Sequence, residues 1–286
     1  MKLALLLLSA AAIWSAEEAT RTIEKSFPLT GNNRALFVCG LNGGISVTAT
    51  DGNEVRFSVR EKLAAATGDR LEELKKEVDV SFTSEPGTIR ASVKGPWGGS
   101  ECGKPAERNR GERRRWDGKE TRIEHEFTVA VPRDARLELR SVNGSLHVSG
   151  TRGIYSLHTV NGGIKMDDVE GSGEVVTVNG TVKAVYQRNP TADTKFRTVN
   201  GKLDLYFQPA LSADFTMKTL NGKAYTDFDM TSIPSSGSTA EKTEGMRVIH
   251  RRGTNGSLRA GNGGPKISTE TVNGSILIHS LEKGRP

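Results

Sequence analysis

The stretch SVNGSLHVSGTRGIYSLHTVNGGIKMDDVEGSGEVVTVNG, residues 141–180, contains one short phrase three times. It reads Ser141-Val142-Asn143-Gly144, Thr159-Val160-Asn161-Gly162 and Thr177-Val178-Asn179-Gly180. The phrase continues as Thr198-Val199-Asn200-Gly201, Thr219-Leu220-Asn221-Gly222 and Thr271-Val272-Asn273-Gly274, and a looser copy, Gly40-Leu41-Asn42-Gly43, comes earlier. From Asn143 to Asn221 the asparagines lie 18, 18, 21 and 21 residues apart. A fixed period near twenty residues marks a repeat architecture.

Aligning the copies on Asn exposes apolar columns. Four residues before Asn stand Val38, Leu139, Leu157, Val175, Phe196 and Met217; one before stand Leu41, Val142, Val160, Val178, Val199, Leu220 and Val272. Three and five residues after Asn come pairs such as Ile45/Val47, Leu146/Val148 and Ile164/Met166. That spacing is the period-two pattern of a strand with one buried face. Each copy therefore predicts a strand, a bend at Asn-Gly and a second strand.

Nine of the fourteen asparagines precede glycine, far above chance, so the backbone demands the dipeptide. Both residues tolerate positive φ, which a sharp bend would use. A meander of hairpins with type I′ turns is one architecture that fits. The near-identical columns favour another, an all-β, single-stranded β-solenoid with 18–21-residue rungs. There Asn42, Asn143, Asn161, Asn179, Asn200, Asn221 and Asn273 would stack as a buried amide ladder.

The first copy is interrupted. Asp69 is placed to open a helix carrying Leu71, Leu74 and Val78. Residues 17–131 read as N-terminal cap strands with this helix and a basic loop inserted, and residues 132–286 as the repeats. Asp229–Gly245, rich in Ser, Thr and Gly, reads as a loop.

Residues 1–16 read as a signal peptide: Lys2, an apolar run from Leu3 and small residues before Glu17-Glu18. Cleavage after Ala16 is expected, with Ala12 the alternative. The chain is therefore expected to be exported, to the periplasm, cell surface or medium, and no transmembrane span is expected. The formal net charge of +6 is concentrated between Lys104 and Arg122, where eight basic residues meet four acids. A whole-surface nucleic-acid footprint is thus excluded. Cys39 and Cys102, an even pair in an exported chain, are candidates for a disulfide.

The run Phe127-Thr-Val-Ala-Val-Pro132, Arg133-Asp134 and Leu137-Glu-Leu139, with the recurrent Thr-Val-Asn-Gly phrase, resembles the bacterial "putative adhesin" domain family over roughly residues 35–280. The resemblance implies a right-handed, single-stranded β-helix, exported or surface-facing, with no established catalytic residues.

No nucleophile, phosphate-loop or metal-ligand motif stands out. The five histidines fall in different columns and read as surface residues on strands; no cofactor or metal is implied. Two groups are candidates for contacts with an anionic polysaccharide, lipid headgroups or an envelope protein: Arg113, Arg114, Arg115 and Trp116 in the basic loop, and the outward Lys165, Lys183, Lys202 and Lys223. The reading favoured is a non-catalytic binding or adhesion module. A carbohydrate-active enzyme and an envelope sensor are the alternatives.

Overall fold

The computed structural model describes residues 17–97, 121–233, 247–250 and 255–283. The leader-like segment 1–16, Arg113, Arg114, Arg115 and Trp116 of the basic loop, and Cys102 lie outside the described residues.

Each repeat contributes two short strands. The strand before Asn-Gly joins one sheet and the strand after it joins another. One sheet runs through Ile45–Thr50, Leu146–Ser149, Ile164–Val169, Val182–Tyr186, Leu203–Phe207, Ile276–Ser280 and Ala224–Thr226, all parallel. The second runs through Ala35–Cys39, Arg136–Arg140, Tyr155–His158, Gly173–Val176, Thr194–Asn200, Lys266–Asn273 and Ala213–Asn221, also parallel.

The expected single-stranded, right-handed β-solenoid is not what forms. Among the described residues there are two large mixed sheets of eleven strands each. Two features overturn the simpler picture. Antiparallel pairs close both ends: Glu17–Pro28, Glu54–Ala65 and Thr121–Pro132 at one, Ala213–Asn221 with Asn255–Ala260 at the other. The spatial order also departs from chain order, because Lys266–Asn273 inserts between Thr194–Asn200 and Ala213–Asn221. The 52-residue gap from Asn221 to Asn273 is the trace of that insertion in the sequence.

The apolar columns do form the core. The residues four before, three after and five after each Asn are buried, from Val38, Leu139 and Leu157 to Ile276 and Ile278, in one continuous cluster fed by both sheets. Burying such aliphatic side chains stabilises by about 1.5–3 kcal/mol each. Aromatic residues thicken the core towards the later repeats, where Tyr186 stacks on Phe207 at 5.1 Å and Phe207 meets Phe215 edge-on.

The helix spans Gly68–Glu77 and seats Leu71 and Leu74 on the end strands. Its N-cap is Thr67, whose hydroxyl accepts from the Arg70 amide, and Asp69 lies in the first turn. The exposed edge strand Glu17–Pro28 carries Glu17, Glu18, Arg21, Glu24 and Lys25 and ends in proline, which discourages further strand pairing. Met230–Ser232, read as part of a loop, is a strand paired with Asn255–Ala260.

Candidate functional site

The corner between the sheets shows what each residue of the repeated phrase does. The Thr or Ser is buried and donates from its hydroxyl to a glycine carbonyl of the neighbouring rung: Thr159 to Gly144 (2.7 Å), Thr177 to Gly162 (2.8 Å), Thr198 to Gly180 (2.9 Å). The aliphatic residue turns outward. The Asn amides form a continuous chain. Asn42 donates to the Ile123 carbonyl, and Asn143 donates to Asn42, Asn161 to Asn143, Asn179 to Asn161 and Asn200 to Asn179. Asn273 then donates to Asn200 and Asn221 to Asn273, each bond between asparagines 2.7–2.8 Å long. All seven predicted asparagines are thus brought together. The ladder is not buried: from Asn143 onward every member is exposed, because the bend sets it on the outer edge of the two-sheet stack.

The glycine has a different reason from the one the turn suggested. Of the seven Asn-Gly glycines in the ladder, Gly43 alone has a positive φ of the left-handed kind. The others are required by close stacking: a Cβ on Gly180 would lie 2.0 Å from the Gly162 carbonyl oxygen, and one on Gly144 1.8 Å from that of Gly43. No side chain fits between backbones that near.

The outward lysines do not form one cationic column. Lys165 and Lys183 are register neighbours, but Lys165 pairs with Asp167 at 2.7 Å, and Lys183 sits 5.5 Å over the Tyr206 ring. Lys202 pairs with Asp204 at 3.0 Å, and Lys223 is exposed in the same column at the far rung. Burial of Asp204 opposes its ionisation, yet hydrogen bonds from His279 and Lys202 outweigh that and hold its carboxyl at about 2. Cys39 is disulfide-bonded.

Among the histidines, His125 departs from the expectation of a surface position: it is fully buried on the inner face of Thr121–Pro132. Its Nε2 lies 3.0 Å from Glu61 Oε2, and Arg21 Nε donates to Glu61 Oε1 at 2.6 Å, so Arg21, Glu61 and His125 form one row across three strands. Burial would raise the Glu61 carboxyl, but the bonds from His125 and Arg21 carry it below the usual value. The alternation of Thr121–Pro132, with Ile123 and Phe127 inward, is the signal that could have placed His125 inside.

The arrangement best suited to a ligand lies at the opposite ends of the strands of the second sheet. A groove of about 840 Å³ opens over Ala35–Cys39, Thr88–Lys94 and Arg136–Arg140. Arg34, Arg90, Arg136 and Arg152 line it with Asp134 and Glu138, and Glu85 and Glu170 pair with two of these arginines from beside it. Phe37 and the exposed Ile154 supply apolar surface. Three of the arginines are held by neighbours. Arg34 donates to Asn53 and Asp134, and Arg90 donates to Glu85 at 3.1 Å with its guanidinium 4.6 Å over the Phe37 ring. Arg152 pairs with Glu170 at 3.3 Å. A guanidinium carries five N–H donors, so each anchored group keeps donors for an incoming oxyanion. Arg136 is exposed and has no carboxylate partner among the described residues. The sequence hid this site because its arginines come from separate segments, brought together by pairing Ala35–Cys39 with both Thr88–Lys94 and Arg136–Arg140.

No protein-family model matches the chain, and no curated protein matches it. Among solved structures, it is similar to a "putative cell adhesion protein" from Clostridium sporogenes, at 11% identity and a TM-score of 0.41, over 92% of this chain and 100% of that one. It is also similar to a "putative adhesin" from Bacteroides fragilis, at 8% identity and a TM-score of 0.38, over 91% and 97%. A third neighbour is a "putative lipid binding protein" from Parabacteroides distasonis, at 11% identity and a TM-score of 0.27, over 91% and 96%. Two of the three carry adhesin names, and at these scores none carries an argument about what this chain binds. No helix among the described residues is long and apolar enough to cross a membrane.

Proposed function

We propose that this protein is an exported, non-catalytic binding module that recognises a carboxylated or phosphorylated ligand, such as an acidic envelope glycan, in the arginine groove. The observation carrying the reading is the convergence of Arg34, Arg90, Arg136 and Arg152 beside the apolar surface of Phe37 and Ile154. Guanidinium forks match carboxylate and phosphate oxygens in pairs, and prior anchoring by Asp134, Glu85 and Glu170 reduces the side-chain entropy lost on binding. The lysines of the first sheet are weaker candidates, because an ammonium offers a point charge in place of a planar fork and Asp167 and Asp204 already pair with two of them. The leader-like N-terminus and the disulfide at Cys39 support an oxidising, exported location.

Equilibrium binding of oligogalacturonate to the whole protein tests the reading. Binding should weaken with added salt, and Arg136→Ala should weaken it about tenfold, as loss of one charge-assisted contact does. Unchanged affinity in Arg136→Ala/Arg152→Ala would overturn the groove assignment. Release of new reducing ends from the glycan would overturn the non-catalytic part.

A further inference from the structure

The outward aliphatic column has no role in holding the fold together as described so far. It runs along the corner from Leu41 through Val142, Val160, Val178 and Val199 to Leu220, with Val272 stacked between the last two. Val142 is 38% exposed, Val160 39% and Leu220 56%, and the remainder are partly exposed. The Asn ladder accounts for the amides and the close backbone stacking accounts for the glycines. Neither requires an aliphatic side chain facing water at the position before every Asn, where a polar residue would serve a solvated edge better.

Beside this apolar line the ladder offers polar valence. An Asn amide has two N–H donors and an oxygen with two lone pairs. Asn143, Asn161, Asn179 and Asn200 each donate once and accept once within the ladder, so one donor and one lone pair per rung remain directed away from it. At the rungs of Asn161 and Asn179 the residues following Asn-Gly are Gly163 and Thr181, so the edge there is uncharged; Arg122 and Glu124 stand beside Asn143, and Lys202 follows Asn200-Gly201. The amide contact recurs at the strand spacing of about 4.8 Å through Asn143, Asn161, Asn179 and Asn200, over about 14 Å in all.

We propose that this edge binds an extended, neutral polysaccharide chain lying along the ladder, its C–H surface on the aliphatic line and its hydroxyls on the free amide valences. A ligand that repeats can make the same small contact at each rung, and the linked contacts add to useful avidity. Hydroxyls, which both donate and accept, suit an amide that does both. The absence of charge in the middle rungs selects a neutral polymer over an acidic one. A ridge one side chain wide falls short of the roughly 800 Å² per partner of a stable protein interface, which argues against a second copy of this chain. At Asn161 and Asn179 the edge positions themselves, Val160 to Gly163 and Val178 to Thr181, carry neither the aromatic nor the basic side chains that hold a surface on lipid. This site is independent of the arginine groove, which lies at the other ends of the same strands.

Co-sedimentation of the whole protein with insoluble cellulose, β-1,3-glucan and α-mannan tests the proposal, alongside phosphatidylcholine vesicles and analytical ultracentrifugation. At least one neutral polysaccharide should retain the protein. Val142→Thr/Val160→Thr/Val178→Thr keeps β-branched side chains but removes apolar surface, and should weaken retention roughly tenfold with an unchanged melting temperature. Arg136→Ala should bind as the parent does, which separates this site from the groove. Retention by none of the three polymers, equal retention of the triple variant, capture by vesicles alone, or a dimer abolished by the triple variant would each overturn it.

Discussion

Gly180→Ala is the sharpest probe of how the stack is built. The added methyl would lie 2.0 Å from the Gly162 carbonyl oxygen, and both atoms belong to backbone that no rotamer change can move. Restoring an ordinary contact requires the two rungs to part by more than about 1 Å, since carbon meets its neighbours at about 3.5 Å. That shift stretches the bond from the Gly162 amide to the Asn179 carbonyl (3.1 Å), the bond from Thr177 to the Gly162 carbonyl (2.8 Å) and the Asn179–Asn161 amide bond (2.8 Å). Each is worth about 1 kcal/mol net, so the loss approaches 3 kcal/mol. Stiffening of the unfolded chain by alanine returns about 0.4–1 kcal/mol, leaving a cost of about 2–3 kcal/mol. Urea unfolding followed by far-UV circular dichroism should show a lowered midpoint with an unchanged slope. Asn179→Ala supplies the scale: its amide is exposed and water can replace its partners, so it should cost only about 1 kcal/mol. A Gly180→Ala protein within 0.5 kcal/mol of the parent, a margin ordinary for neutral surface changes, would refute the close-stacking account.

Three other variants probe the charged contacts. Asp204 has a carboxyl held at about 2 against an ordinary value near 3.8, so it contributes stability above about pH 4 that is lost as pH falls towards 2. Asp204→Asn should lower stability at pH 7 by about 2 kcal/mol and flatten its decline between pH 4 and 2, as read from urea midpoints across that range. Glu61→Ala leaves the buried His125 ring without its partner and Arg21 with only the more distant Asp79, and should cost about 3 kcal/mol by thermal melt, whereas Arg21→Ala, at a half-exposed side chain, should cost less than half as much.

The repeated phrase made the strand pairs, the buried columns and the membership of the ladder legible, because period-two burial and in-register stacking leave a mark in every copy. The number of sheets was not legible. An isolated repeat does not show whether the strands on either side of Asn143 share a sheet, and nothing near Asn273 says that its rung lies between those of Asn200 and Asn221. The exposure of the ladder was missed for a related reason: side-chain amide stacking needs only registration, and a bend at the edge of the stack registers as well as one inside it. Glycine was explained by φ because conformational freedom can be read from one residue, while the approach of Gly162 to Gly180 involves backbone eighteen residues away. The groove was hidden more deeply still, since Arg34, Arg90, Arg136 and Arg152 share no spacing and meet only through sheet pairing.

The central functional claim is tested most directly by mapping amide chemical shifts while oligogalacturonate is titrated into the whole, isotopically labelled protein. The account predicts that perturbed signals gather on Ala35–Cys39, Thr88–Lys94 and Arg136–Arg140, beside the arginine groove. Perturbations centred instead on Lys165, Lys183 and Lys202 across the first sheet, or none at saturating glycan, would contradict it.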